Sequence, residues 1–262
     1  MSDLCAGLPT GELLSGLVSV TFRQLSPREI VDLVVLSKLE YIEWGGDVHV
    51  PPTNLKNAAE VRRITTDAGL IVACYGSYYR AGGIDRASFE NVLETTVELG
   101  APLVRVWAGG KGSIASSPDE RSNVADDLRR LCDLAASAGV RVATEYHGGT
   151  LTDSLQSAVE LFEAVNHPQL MTLWQPNGTY DVAARLDEIE SLSRSIANVH
   201  CFYWTDTARQ PLAEGKRGWT EYLAALKNLN RRIAVLLEFV KDDSVEAYLA
   251  DAAELKQWLA QA

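Results

Sequence analysis

Residues 140–150, VRVATEYHGGT, are the stretch from which the fold of this chain can be inferred. A short apolar and β-branched run ends in Glu145, His147 follows it, and two glycines then interrupt the extended conformation. Such a run is typical of a buried strand, and the glycines are typical of a loop. The stretch therefore predicts a strand that carries chemically active side chains at its carboxyl end.

The same pattern occurs three more times along the chain. Three later apolar runs end in a side chain that can bind a metal ion: Gln175, His200 and Glu238. The carboxyl ends of neighbouring parallel strands meet at one edge of a sheet. We therefore expect these side chains and Glu145 to converge on one point.

Length and composition favour one globular domain. The chain has 262 residues, of which 47% are hydrophobic and 23% charged, and a single α/β barrel needs about 250. No linker or composition shift divides it, so we expect one domain over residues 1–262 with a lead-in at 1–16. No apolar run approaches the ~18 residues of a membrane span. Residues 1–16 lack the pattern of a secretory signal, so the sequence predicts a cytoplasmic protein.

Charge and cysteine spacing argue against several classes of protein. The net charge of -11 repels nucleic acid, and no basic stripe with interleaved aromatic residues is present. The cysteines lack the Cys-x-x-Cys spacing of a structural zinc site, which favours free buried thiols. They are Cys5, Cys74, Cys132 and Cys201.

The chain consists of eight units of about 30 residues, each with an apolar run, a loop and an amphipathic helical stretch. The predicted strands cover residues 17–22, 41–44, 71–75, 103–107, 140–145, 170–175, 196–200 and 233–238. Alternating strands and helices imply a parallel sheet, and eight units close most naturally into a (β/α)8 TIM barrel. A doubly wound sheet is the alternative, but the sequence has no glycine-rich phosphate loop.

Helix boundaries carry recognisable capping residues. Ser26 and Ser117 each precede a proline and stand three residues before a glutamate, which is the pattern of a capping box. Gly69, Gly100 and Gly139 each stand just before a predicted strand, where glycine ends a helix.

A divalent cation would suit the four converging side chains. Hard ions such as Mn²⁺ and Mg²⁺ prefer oxygen ligands with one or two histidines. Two carboxylates neutralise one divalent ion, whereas buried carboxylates without a cation are costly. The sequence therefore predicts one divalent ion, Mn²⁺ first and Mg²⁺ or Co²⁺ as substitutes, bound by Glu145, Gln175, His200 and Glu238.

The arrangement of Glu145, His200 and Glu238 on the fifth, seventh and eighth strands resembles a known metal-binding pattern. It is similar to that of the xylose isomerase-like barrel superfamily, specifically the sugar phosphate isomerase/epimerase group. The local phrases YIEWGGDVHVP at 41–51 and EYHGGTLTD at 145–153 agree with it. The resemblance implies proton removal next to a carbonyl, with the ion stabilising the enediolate and Glu145 and Glu238 as the catalytic pair.

One position departs from the pattern of that family. Where the family commonly has an aspartate followed three residues later by a histidine, this chain has Gln175 and then Gly178. The Gln175 amide carries no charge, so the predicted site has one negative charge fewer than a site with aspartate at this position. Two roles stay open for Gln175: it binds the ion, or it contacts substrate while water completes the coordination shell.

The leading hypothesis is a metal-dependent isomerase or epimerase of a keto sugar. The alternatives are a dehydratase or lyase on an inosose or 3-keto-glycoside, and a non-catalytic sugar-binding barrel. The expected partner is a small sugar or cyclitol, with no nucleic acid and no membrane, and a homo-oligomer is compatible with the sequence. The residues expected to bind substrate are Glu43, His49, Tyr75, Trp107, His147 and Arg209.

Overall fold

Eight strands and eight α-helices alternate in the part of the chain that the computed structural model describes, residues 11–83, 87–176 and 181–261. The strands are β1 (Leu13–Val18), β2 (Tyr41–Gly45), β3 (Ile71–Arg80), β4 (Leu103–Trp107), β5 (Arg141–Glu145), β6 (Leu170–Trp174), β7 (Ile196–Cys201) and β8 (Ile233–Leu237). The helices are α1 (Pro27–Ser37), α2 (Leu55–Asp67), α3 (Ala87–Leu99), α4 (Pro118–Ser137), α5 (Leu155–Val165), α6 (Val182–Ser191), α7 (Lys216–Lys227) and α8 (Val245–Gln261).

The eight strands are parallel and form a closed barrel. Each strand pairs with its neighbours in sequence, and β1 closes the ring by pairing with β8 from Leu13 opposite Ile233 to Leu17 opposite Leu237. The fold is a (β/α)8 TIM barrel, so the predicted fold class is confirmed.

The apolar residues form two layers, one inside the barrel and one between the strands and the helices. Side chains alternate along a strand, so every second residue points into the barrel. Ala143, Leu173 and Leu236 belong to the inner layer, whereas Val142, Trp174 and Val235 belong to the outer one. This alternation decides which polar residues face the interior of the barrel.

The first strand begins earlier than predicted. It was expected at residues 17–22, but β1 runs from Leu13 to Val18 and Ser19–Phe22 form a 3-10 helix. Gly16 lies within this strand, where a Cβ would lie 2.5 Å from the Tyr41 carbonyl oxygen. Apolar content alone gave no sign that a glycine was needed where β1 and β2 come close.

The predicted helix boundaries are confirmed. Ser26 and Ser117 both form capping boxes, with Glu29 and Glu120 at the third helical position. Gly69, Gly100 and Gly139 all have positive φ, as expected of residues that end a helix. These local signals start α1 and α4 and end α2, α3 and α4.

Two predictions from composition can also be compared with the structure. None of the described helices is long and apolar enough to cross a membrane. Cys74, Cys132 and Cys201 are buried free thiols, as predicted, whereas Cys5 lies outside the described residues.

Candidate metal centre

The candidate site lies at the carboxyl ends of β5 to β8. Glu145 ends β5, His200 lies near the end of β7, and Gln175 and Glu238 directly follow β6 and β8. Glu145, Gln175 and Glu238 stand two residues after Ala143, Leu173 and Leu236, which face the inside of the barrel. The alternation of strand side chains therefore points these polar groups inward as well.

The donor atoms of these residues are close together. One ligand atom each from Glu145, His200 and Glu238 lie within 4.8 Å of one another. His200 Nδ1 is 3.4 Å from Glu238 Oε2, 3.8 Å from Glu145 Oε1 and 3.3 Å from Gln175 Oε1. All four side chains predicted as ligands thus face one point.

These separations suit a divalent cation. Two ligands at right angles, each about 2.2 Å from an ion, are about 3.1 Å apart. The three distances from His200 Nδ1 lie between this value and the separation of about 4.4 Å expected for two such ligands on opposite sides of the ion. Two carboxylates, an amide oxygen and an imidazole are also ligands that Mn²⁺ and Mg²⁺ accept. The residues therefore fit one such ion.

Glu43 contacts the ring nitrogen of His200 that faces away from the other candidate ligands. It was expected to bind substrate, but its Oε2 is 3.2 Å from His200 Nε2 and it is fully buried. Histidine ligands of metal ions usually donate their second N–H group to a carboxylate, which fixes the orientation of the ring. The position of Glu43 agrees with this role, and its contact with a substrate stays a prediction.

A buried arginine, which the sequence patterns did not indicate, completes the site. Arg105 on β4 is 4% exposed, and its Nε lies 3.0 Å from Glu145 Oε2. Its Nη1 donates a hydrogen bond to the Ser77 carbonyl oxygen at 2.8 Å. The inward alternation of β4 could have identified it, because Leu103, two residues earlier, belongs to the inner layer.

The charges in the site balance around one divalent ion. Glu43, Glu145 and Glu238 carry three negative charges, and Arg105 carries one positive charge. The remaining two negative charges match one M²⁺ when His200 is neutral. Because buried charges need partners, this balance supports a cation at the site.

Burial and charge act in opposite directions on His200 and Glu43. Burial lowers the pKa of His200, but the Glu238 and Glu43 carboxylates outweigh it and hold the pKa well above its usual value. Burial raises the pKa of Glu43, but the charges of His200 and Arg105 outweigh it and hold the pKa below its usual value. Each group thus favours the charged form of the other.

Two of the residues expected to bind substrate do not face the barrel interior. Tyr75 belongs to the outer layer and its hydroxyl donates to the Val50 carbonyl oxygen at 2.8 Å. His49 is buried with Nδ1 3.0 Å from Ser19 Oγ and Nε2 3.1 Å from the Leu25 carbonyl oxygen. Both polar groups are engaged by the protein itself, which favours a role in loop structure.

Trp107 and His147 remain candidates for substrate contact. Their rings lie edge to face with centroids 4.7 Å apart, and the Trp107 centroid is also 4.7 Å from the guanidinium carbon of Arg105. His147 is exposed, and its Nδ1 is 2.7 Å from the Gly148 carbonyl oxygen. Arg105, Trp107 and His147 therefore form a row of contacts that runs from the buried site to the surface.

Arg209 lies in a short antiparallel ribbon in which Trp204–Thr205 pairs with Ala208–Arg209. Its guanidinium forms an ion pair with Asp243 and lies 4.8 Å from the centroid of the Phe239 ring. Phe239 directly follows Glu238, so this contact brings Arg209 near the metal centre in space, but the ion pair with Asp243 already engages its guanidinium.

Comparison with known proteins identifies the class. The sequence profile of the xylose isomerase-like TIM barrel family matches residues 31–262. The chain belongs to this family, and the resemblance inferred from the sequence is confirmed.

Individual relatives include dehydratases and epimerases. A 3-dehydroshikimate dehydratase of Bacillus anthracis is 36% identical over 91 residues, a match that spans 32% of each chain. The crystal structure of a probable 3-DHS dehydratase from Bacillus anthracis, involved in petrobactin synthesis, superposes with a TM-score of 0.77 at 21% identity, covering 93% of this chain and 98% of the other. D-psicose 3-epimerase of Clostridium cellulolyticum H10, solved with D-tagatose, superposes with a TM-score of 0.71 at 13% identity. This match covers 94% of this chain and 99% of the other.

A further relative is a family member from Mycobacterium smegmatis solved in complex with magnesium. It superposes with a TM-score of 0.73 at 12% identity and covers 95% of this chain and 97% of the other. At 12% identity, this similarity shows only that the two proteins share a fold.

Proposed function

We propose that this protein is a divalent-metal-dependent lyase that dehydrates a cyclic keto compound of the 3-dehydroshikimate type. The observation that carries the proposal is the convergence of Glu145, His200 and Glu238 within 4.8 Å at the carboxyl end of the barrel. The relatives named 3-dehydroshikimate dehydratase support this choice of reaction and substrate.

A bound divalent ion would supply positive charge where negative charge develops on the substrate oxygen as a proton leaves the neighbouring carbon. In elimination, the C–H bond breaks, its electron pair forms a C=C bond, and the bond to the β-hydroxyl breaks. The hydroxyl takes up a proton and leaves as water, so the product is the substrate minus one water.

Glu145 and Glu238 differ in their ability to accept the proton. Glu145 Oε2 is 3.0 Å from Arg105 Nε, and taking up a proton would weaken this ion pair. Glu238, directly after β8, has its Oε2 3.4 Å from His200 Nδ1, and among the described residues Arg105 forms its ion pair with Glu145 and not with Glu238. We assign Glu238 as the base and Glu145 as a ligand.

His147 is the candidate acid for the leaving hydroxyl. A carbonyl oxygen only accepts hydrogen bonds, so the short contact with the Gly148 oxygen places a proton on Nδ1. To act as the acid, His147 would carry a second proton on Nε2 and give it to the leaving hydroxyl. Its exposed position next to Trp107 suits this role.

The second candidate is an epimerase of a keto sugar, the hypothesis that the sequence favoured. It is supported by the two carboxylates, Glu145 and Glu238, that approach one point from different strands. Such a pair can remove a proton from one face of a substrate and return one to the other.

The two candidates are separated by product mass. The purified protein, loaded with Mn²⁺, is incubated in D₂O with 3-dehydroshikimate and with a panel of ketoses. Loss of water supports the lyase, whereas an epimer that has gained one deuterium supports the epimerase. Glu238→Gln should lower kcat by at least about 100-fold, and Glu246→Gln, an exposed site in α8, serves as the control. A protein that binds no metal and converts neither substrate contradicts both.

A further inference from the structure

Arg105 is a buried arginine that several contacts hold in one orientation. Its Nε faces Glu145 Oε2 at 3.0 Å, and its Nη1 donates to the Ser77 carbonyl oxygen at 2.8 Å. The ring centroids of Tyr78 and Trp107 lie 5.1 and 4.7 Å from its guanidinium carbon. A planar guanidinium held by an ion pair, a hydrogen bond and aromatic rings keeps a fixed direction.

The fixed arginine determines how Glu145 faces the metal centre. Arg105 engages Oε2, whereas Oε1 points towards His200 Nδ1 at 3.8 Å. Only one oxygen of Glu145 is therefore presented to an ion. A carboxylate that binds through one oxygen takes one coordination position instead of two.

Arg105 also limits the negative charge around the ion. Without it, Glu43, Glu145 and Glu238 would place three negative charges around a divalent cation. Opposite charges in a buried site attract strongly, so this excess would tighten ion binding.

We infer that Arg105 is a positioning residue of the metal centre. It restricts Glu145 to ligation through one oxygen, lowers the affinity for the divalent ion, and thereby keeps coordination positions open for substrate oxygens. The role of the open positions rests on the proposed function, whereas the effect on ion binding can be measured without any substrate.

The test is titration of the protein with Mn²⁺ by calorimetry. Arg105→Gln removes the charge but can still donate to the Ser77 carbonyl oxygen, and we expect it to bind Mn²⁺ at least about tenfold more tightly. Arg105→Lys keeps the charge but loses the planar fork, so its affinity should lie between those of Arg105→Gln and the native protein. For both variants kcat should fall by a larger factor than KM changes.

Arg80 provides a matched control. Its guanidinium carbon also lies near the Trp107 ring, at 5.2 Å, but its Nη1 bonds the Gly109 carbonyl oxygen. Arg80→Gln therefore makes the same change in net charge, and we expect it to leave Mn²⁺ affinity unchanged.

Circular dichroism establishes which variants are folded. A native or weaker Mn²⁺ affinity in either folded Arg105 variant overturns the inference, and so does equal tightening in Arg80→Gln. If the native protein binds Mn²⁺ and only the Arg105 result fails, the proposed function stands without this inference. If the native protein binds no Mn²⁺, both are contradicted.

Discussion

Glu43 and His200 form a buried pair inside the barrel, with Glu43 Oε2 3.2 Å from His200 Nε2. The contact joins β2 to β7, which are far apart in sequence. Because the carboxylate holds one ring nitrogen, the other nitrogen faces Glu145, Gln175 and Glu238. The Glu43 carboxylate therefore sets the orientation of the imidazole.

Replacing this carboxylate should weaken metal binding. Glu43→Gln removes the negative charge behind His200, and carboxylates in such positions contribute about 10- to 100-fold to metal affinity. We expect the dissociation constant for Mn²⁺, measured by calorimetry, to rise by at least about tenfold. Glu40→Gln, at an exposed position just before β2, is the control. Equal affinity in the Glu43 and Glu40 variants would show that Glu43 does not support the ligand.

Adding a charge at position 175 should have the opposite effect. Gln175 Oε1 is 3.3 Å from His200 Nδ1, so Gln175→Asp would place a carboxylate near the same point. Since charge attraction is strong in a buried site, we expect Mn²⁺ affinity to rise by roughly tenfold. Gln169→Asp, in the turn just before β6 at the other end of the barrel, controls for net charge. Unchanged affinity in Gln175→Asp would place this residue outside the coordination shell.

Gly76 leaves room for the charged groups of the site. A Cβ there would lie 3.0 Å from Glu43 Oε1 and 3.2 Å from Arg105 Nη2. Gly76→Ala should therefore lower the free energy of unfolding by about 1–3 kcal/mol, the usual cost of overpacking. Denaturant unfolding measures the change, and Gly148→Ala, where a Cβ would meet nothing within 4 Å, is the control. A loss no larger than that of the control would mean that the two side chains move aside freely.

Asp251 on α8 should make stability depend on pH. Burial raises its pKa to about 6, although its Oδ1 accepts a hydrogen bond from the Leu212 N–H group. The folded protein therefore holds this proton more tightly than the unfolded chain. The stabilisation from this proton is complete below the unfolded pKa of about 3.9 and is lost as the pH rises through the folded value.

Comparison with Asp251→Asn isolates this effect, because asparagine keeps a hydrogen-bond acceptor without the charge. Relative to the variant, the native protein should lose stability between about pH 4 and about pH 7 in denaturant unfolding. A difference between the two proteins that stays constant over this range would assign the pH dependence to other groups.

The elements that follow from local signals were predicted well from the sequence. The range 103–107 equals β4, and the capping boxes at Ser26 and Ser117 start α1 and α4 as expected. Their positions at strand ends also brought together Glu145, Gln175, His200 and Glu238, because parallel strands place such residues at one edge. The assignment of these residues to catalysis and metal binding stays a prediction.

The contacts between distant strands could not be predicted in the same way. Glu43 was expected at a substrate, but it faces His200 across the barrel, and the importance of Arg105 depends on its distance from Glu145. Tyr75 follows a register shift between β2 and β3 and lies in the outer layer. Such contacts depend on how the eight strands close into a barrel. They cannot be inferred from composition or from the spacing of residues along one strand.

The pairing of β1 with β8 also affects how the chain folds. Seven of the eight strand pairs join successive strands, but Leu13 meets Ile233 across most of the sequence. The entropy lost on closing so large a loop is recovered only when the rest of the sheet is in place. Ring closure is therefore expected as a late and slow kinetic phase, and the amides of β1 should be among the last strand amides to gain protection from hydrogen exchange during refolding.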